Sequence, residues 1–457
     1  MLKCFAAQEQ NAIPIMPVRQ ADFPAWLDEH REYRQWLAGV GYKAEPGTFA
    51  FVPGAGNDGR PRAVVTSPLD GASVWSLAGL PMSLPEGAYV LQGGQDSSQT
   101  DFALGWALGS YAFTRYKKPK RSAATLVWPE KAERREVERI AEAVFLARDM
   151  INTPAEDMGP EQLAEGVVAV AKAHRAKTNV IVGEALLQQN YPTIHIVGRA
   201  SSRAPRLIDL RWGDEANPKV TLVGKGVCFD TGGLDLKPRD GMLEMKKDMG
   251  GAAVTLGLAS ALMSANTPIR LRLLIPAVEN SVAGNAYRPL DIVRTRSGKT
   301  VEIGNTDAEG RLILCDALTE ADSERPELLV DCATLTGAAR IALGPELQAL
   351  YCDDDAVAGA LLKSGTDVGD PLWRMPIWRP YRKQLDGRCA DLNNVAQGTF
   401  AGSIIAALYL AEFVSASTRW AHLDIMASNP TAKPGRPEGG EATGLRALYA
   451  YIRQRYG

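Results

Sequence analysis

Val220-Thr221-Leu222-Val223 is a short β-rich run that ends at Gly224 and Lys225 and reaches Asp230-Thr231-Gly232-Gly233 a few residues later. A strand of this nearly continuous apolar kind is buried on both faces, as in parallel sheets. Similar runs recur at Leu207-Ile208-Asp209-Leu210, Leu271-Arg272-Leu273-Leu274-Ile275 and Leu328-Leu329-Val330-Asp331, separated by helical stretches over 252–263 and 311–321. The alternation predicts an α/β fold with a largely parallel central sheet covered by helices. In open sheets of this type ligands gather at the carboxyl ends of the strands. Lys225 and Asp230 are therefore expected at that edge.

Residues 1–125 read as a smaller α/β domain, with strands at 48–52 and 63–66 set among Pro- and Gly-rich turns. A connecting segment follows over 126–152. Within it 131–150 carries Val137, Ile140, Ala141, Val144 and Phe145 at helical spacing, and the helix should stop near Asn152-Thr153-Pro154. Residues 153–457 form the large domain.

Two dense polar segments carry the chemistry. One runs from Val223 to Ala253 and holds Lys225, Asp230, Lys237 and Asp248; the other is Asn305-Thr306-Asp307-Ala308-Glu309-Gly310-Arg311. On a regular helix Asp307 and Glu309 would point about 200 degrees apart, so they converge only on a loop or at a helix entry. The apolar run Leu312-Ile313-Leu314 fits a loop that opens a helix. Taken singly, each residue has an ordinary reading: the acids as helix caps or strand-end turns, the lysines as snorkelling surface side chains. Together, four acids, two lysines and an arginine suit a site for two divalent metals held mainly by oxygen. Four packed carboxylates repel unless cations neutralise them. Burial beside a strand end is expected to lower the lysine pKa values.

Composition narrows the function classes. The 457-residue chain has a formal net charge of -2 and 23% charged residues, which gives no general bias toward nucleic acid or an acidic membrane. The first ten residues lack the apolar core of a signal peptide, and no apolar run is long enough to span a bilayer. Six scattered cysteines form no Cys-x-x-Cys pair, and four histidines show no metal spacing. A reducing, cytoplasmic setting is expected.

The two dense segments resemble the leucyl aminopeptidases, or cytosol aminopeptidases. The resemblance rests on Val223-Gly224-Lys225-Gly226, Phe229-Asp230-Thr231-Gly232-Gly233, the stretch from Met245 to Ala253 and the Asn305-to-Arg311 heptapeptide. The segments 147–154, 284–289 and 333–337 support it, and it covers roughly residues 140 to 457. The oxygen-rich set itself fits zinc, manganese or magnesium, and the resemblance implies that Asp230 and Glu309 bridge two metals, that Lys225 and Asp248 complete the tighter site, and that Asp307 completes the more exchangeable one. It further implies that Lys237 polarises the scissile carbonyl, that Arg311 holds a bicarbonate as general base, and that a metal-bridging water attacks the first peptide bond. Met245, Thr334, Leu335 and Gly337 are implied to line the substrate pocket, and the assembly to be a homohexamer acting on peptides with a free N-terminus.

The chain departs from that pattern at three points. Thr231 replaces a common serine. In Asp424-Ile425-Met426-Ala427-Ser428-Asn429, Met426 stands where many members carry a small residue, and Asn429 where many carry an apolar one. Both positions adjoin the implied first side-chain pocket, so a P1 preference other than leucine is expected. Two weaker signals lead elsewhere. Gly54-Ala55-Gly56-Asn57-Asp58-Gly59 matches a dinucleotide-binding string but precedes a β-like run instead of a helix. The basic run Arg115 to Arg121 reads as a linker instead of a nucleic-acid site. A catalytically silent scaffold would lack a metal ligand, Lys237 or Arg311, and all seven are present. A dimetal phosphoesterase would usually bring histidine ligands, which this set lacks.

Overall fold

A computed structural model describes residues 2–7, 11–54, 60–69, 73–93 and 98–457. Most of the glycine string from Gly54 to Gly59 lies outside the described residues. The chain divides into two compact units, Met1–Phe145 with Thr431–Glu438, and Leu146–Pro430 with Gly439–Gly457.

The first unit carries six strands: β1 (Phe5–Ala6), β2 (Ile13–Pro17), β3 (Phe49–Pro53), β4 (Pro61–Thr66), β5 (Ala88–Leu91) and β6 (Thr125–Val127). They form one sheet in the order β1-β6-β5-β2-β4-β3, parallel except for the β3–β4 pair. Its core includes Phe23, Leu37, Val52, Ala63 and Val65. The helix Arg134–Asn152 runs on from this unit into the second and ends two residues before Pro154, close to where proline is expected to stop it.

The second unit holds β7 (Lys177–Val182), β8 (Arg206–Trp212), β9 (Lys219–Gly224), β10 (Gly226–Asp230), β11 (Arg270–Asn280), β12 (Ile292–Arg294), β13 (Thr300–Glu302), β14 (Leu328–Ala333), β15 (Gln348–Tyr351), β16 (Leu372–Arg374), β17 (Leu392–Asn393) and β18 (Trp420–Asp424). The main sheet has the order β16-β15-β18-β14-β9-β11-β8-β7, and β10 pairs with the far end of β11. Its centre, β18-β14-β9-β11, is parallel, and antiparallel pairs flank it at β15–β18, β11–β8 and β8–β7. Val220, Leu222, Val223, Leu273, Leu274 and Ile275 are fully buried, as nearly continuous apolar runs require. The helix Gly250–Ser264 is buried on nearly every side. Its first turn must approach the sheet closely: a Cβ at Gly251 would lie 2.0 Å from the Cys332 carbonyl oxygen. Strands β12, β13 and β17 form a small separate sheet.

Five cysteines are buried and free, and Cys389 is exposed. Among the described residues no helix is long and apolar enough to cross a membrane.

Candidate metal centre

Strand ends deliver the charged groups. Lys225 leaves the end of β9, Asp230 closes β10, Thr334 follows β14 and Asp424 closes β18. Asp248 comes from the 3-10 turn Met245–Met249 that enters the buried helix. It does not cap that helix; its carboxylate instead takes hydrogen bonds from Lys225 Nζ (2.9 Å) and Thr334 Oγ1 (2.6 Å). Glu309 opens the helix Glu309–Ser323, and Asp307 lies in the turn before it. The two acids thus converge at a helix entry. Gly310 makes room for this: a Cβ there would lie 2.6 Å from Lys225 Cε and 2.7 Å from Nζ.

The acids and lysines form one cluster. Lys225 Nζ sits 2.8 Å from Asp248 Oδ2 and 2.9 Å from Glu309 Oε1, and donates to the Thr334 carbonyl at 2.8 Å. Lys237 pairs with Asp230 at 2.8 Å and with Asp307. Asp230, Asp307 and Glu309 each offer an oxygen within 4.8 Å of the others. Asp230, Asp248, Glu309 and Lys225 are buried, while the Asp307 side chain is 33% exposed.

The electrostatics are those of a site short of positive charge. Burial, reinforced by the neighbouring Asp230, pushes the Glu309 carboxyl up to about 8 against the opposing pull of Lys225. The same causes raise Asp307 to about 6, and burial raises Asp248. Glu309 Oε2 is buried with no hydrogen-bond partner. A crowded oxygen set with an orphaned buried acceptor fits divalent cations, which would supply the missing charge. The lysines run opposite to the sequence expectation. Burial does push Lys225 and Lys237 down, but the surrounding carboxylates outweigh it and hold both above the ordinary lysine value.

Arg311 is buried, and its NH1 donates to the Asn394 carbonyl at 2.6 Å. Its Nε has no partner, and burial lowers its pKa. Of the expected pocket residues, Met245 lies in the same 3-10 turn as Asp248. Thr334 touches that acid directly, and Leu335 donates its backbone N–H to Asp424 at 3.0 Å. Gly337 is exposed at the start of the helix Gly337–Leu343. Met426 receives the buried Lys247 ammonium, at 3.2 Å from its carbonyl oxygen and 3.8 Å from its sulfur. Burial, then Arg340, pulls Lys247 down to about 8. Asn429 is buried, and its amide donates to Glu441 at 2.9 Å; Glu441 in turn pairs with Arg148 at 2.9 Å.

Several positioning residues lie outside the sequence-derived set. Asn280, at the end of β11, donates to Asp230 Oδ1 (2.8 Å) and to the Thr306 carbonyl (3.1 Å). Asp235 and Thr306 exchange hydrogen bonds of 2.7 and 2.8 Å, tying the two dense segments together. Asn394 accepts from Gly304 and Asn305 N–H groups and donates to the Asn305 carbonyl. Asn280 has a readable signal, a polar residue closing an apolar strand. Asn394 has none, because it acts across about ninety residues of sequence.

Comparison with known proteins agrees with this geometry. Residues 145–449 match the cytosol aminopeptidase family, catalytic domain. Residues 13–129, where the sequence alone resembles that family only weakly, match the M17 aminopeptidase N-terminal domain. Peptidase B of Pectobacterium atrosepticum is 42% identical over 336 residues, covering 71% of this chain and 77% of that protein. The crystal structure of the cytosol aminopeptidase from Coxiella burnetii superposes with a TM-score of 0.95 at 48% identity, covering 99% of this chain and all of that one. The bottromycin maturation enzyme BotP in complex with Mn gives 0.86 at 32% identity, covering 98% of this chain and 100% of that one. The chain belongs to the cytosol aminopeptidase family and is a metallo-aminopeptidase, a hydrolase.

Proposed function

We propose that the protein releases N-terminal amino acids from peptides with two divalent ions, manganese or zinc, held by Lys225, Asp230, Asp248, Asp307 and Glu309. The observation that carries this reading is the buried acid cluster, with Glu309 raised to about 8 and one of its oxygens unpartnered. Two such ions would supply an activated water as nucleophile and would polarise the scissile carbonyl. The manganese complex of BotP supports the choice of metal.

The chain's own groups do the rest. Lys237 stays protonated among Asp230 and Asp307, so its ammonium stabilises charge that develops on the carbonyl oxygen. Arg311 offers a buried, unpaired Nε–H, which suits a small planar anion such as bicarbonate acting as general base. Peptides with a free N-terminus are the proposed substrates, since an α-amine would offer a further donor to ions held by Asp230, Asp307 and Glu309. Met426 stands where many family members carry a small residue, and Lys247 beside it lacks a carboxylate partner within ion-pair distance among the described residues. We propose that P1 side chains other than leucine are preferred, with acidic ones favoured.

The catalytic role is assigned to residues 153–457, with 1–125 as a separate small domain and 126–152 as the connection. A homohexamer in the cytoplasm is proposed.

The test is hydrolysis of leucine amide, glutamate α-amide and their N-acetyl counterparts by chelator-stripped protein refilled with manganese or zinc. Metal-restored cleavage of free-amine substrates alone supports the reading. Cleavage of the acetylated substrates, or metal-independent cleavage, overturns it.

A further inference from the structure

The acid cluster occupies the carboxyl ends of the central strands. At the opposite end the sheet opens onto a basic pocket of about 430 Å³. Its walls come from the loop after the helix Pro160–Ala173, the start of β7, the end of β8 and the starts of β9 and β11. Six cationic side chains line it (Arg175, Lys177, Arg211, Lys219, Arg270 and Arg272) against two carboxylates, Glu215 and Glu324.

The charges are not all spent internally. Arg211 and Arg272 are tied to Asp209 and Glu324, and Arg272 also to Glu320. Lys219 donates to the Glu324 backbone carbonyl at 2.8 Å. Arg175, Lys177 and Arg270 form no ion pair among the described residues. The pooled positive charge registers on Glu324, whose carboxyl is held below its ordinary value: Arg211, Arg272 and Arg270 overcome the opposing effect of its burial. Trp212, half-buried on the same wall, adds a flat aromatic face. A six-residue strand such as β9 spans roughly 20 Å, so this pocket is distinct from the metal centre.

We propose that this pocket binds a phosphorylated small molecule, with its phosphoryl groups on Arg175, Lys177 and Arg270. Planar guanidinium and ammonium donors without carboxylate partners suit multiply charged phosphate oxygens. The indole of Trp212 suits a stacked base where the ligand is a nucleotide.

Metal-loaded protein is titrated calorimetrically with inorganic pyrophosphate and, separately, with ADP, at fixed ionic strength. Saturable binding is expected, weakened at least tenfold in K177A/R270A and unchanged in a control double variant in the exposed basic run, K117A/K118A. Tighter binding of ADP than of pyrophosphate, lost in Trp212→Leu, identifies a nucleotide ligand; equal binding identifies a free phosphate anion. Failure of both to bind at millimolar concentration overturns the proposal. So does binding that K177A/R270A leaves unchanged, or retention of nucleic acid polymers alone.

Discussion

Metal uptake should expel protons, and the structure sets how many. At pH 7 a carboxyl with a pKa of about 8 is roughly 0.9 protonated, so metal-free Glu309 carries most of a proton. Lys225, held above its ordinary value by Asp248, Glu309 and Asp230 after burial is overcome, is fully protonated. Both must deprotonate to ligate a metal. Asp307, at about 6, adds roughly a tenth of a proton. From these three groups, filling both metal positions at pH 7 therefore releases roughly two protons per subunit, any proton held by the raised Asp248 adding to the count, and roughly one fewer at pH 9, since Glu309 is then already mostly ionised. Calorimetric titration of stripped protein with manganese, in two non-chelating buffers of different ionisation enthalpy, reads this number directly. Lys225→Met should remove about one proton from the pH 7 count. An apparent enthalpy that is the same in both buffers would refute the assignment of Lys225 and Glu309 as ligands.

The same acids set a stability profile. The folded, metal-free protein holds the Glu309 proton up to about 8, whereas an unfolded chain releases it near pH 4. The folded state therefore binds more protons across roughly pH 4 to 8, and stability falls as pH rises through that window. Stripped protein should melt lower at pH 8 than at pH 6, and saturating metal should remove the difference; a higher melting temperature at pH 8 without metal would contradict this. Gly310→Ala should cost about 1–3 kcal/mol and lower metal content, because the new Cβ meets the end of Lys225; full metal content by elemental analysis would count against that contact. Lys237→Ala and Arg311→Ala should lower kcat by about 10²–10³ with metal retained, whereas Asp230→Ala and Glu309→Ala should lose metal. An Asp230→Ala protein that keeps both ions would remove the bridging assignment. Lys247→Met should reduce kcat/KM for acidic relative to leucine substrates by about tenfold or more, and an unchanged ratio would show that the cation does not select.

Local sequence carried the parallel centre of the sheet and the helix entry at Glu309. Strands β9, β11 and β14 are buried on both faces, and that shows as apolar runs independent of the rest of the chain. Glu309 at a helix start follows from two acids spaced by two before an apolar stretch. The antiparallel flanks β15–β18 and β8–β7 were not legible, because strand direction depends on connections of variable length. The lysine shifts run against the sequence expectation for a related reason. Burial is visible beside a strand, but the three carboxylates that outweigh it at Lys225 come from Asp230, Asp248 and Glu309, up to 84 positions away. Asn394 and Asp424 act through backbone groups of other segments, and such partners leave no local pattern. Thr431–Glu438, which clusters with the first unit, is a long-range return of the chain of the same kind.

The central claim is that Lys225, Asp230, Asp248, Asp307 and Glu309 together hold two ions. The most direct measurement is a crystal structure of manganese-soaked protein, with anomalous difference maps and elemental analysis of the same preparation. Two anomalous peaks within this cluster, both in contact with Asp230 and Glu309 and matched by two ions per subunit, are the expected result. A single peak, or peaks away from these five side chains, would contradict it.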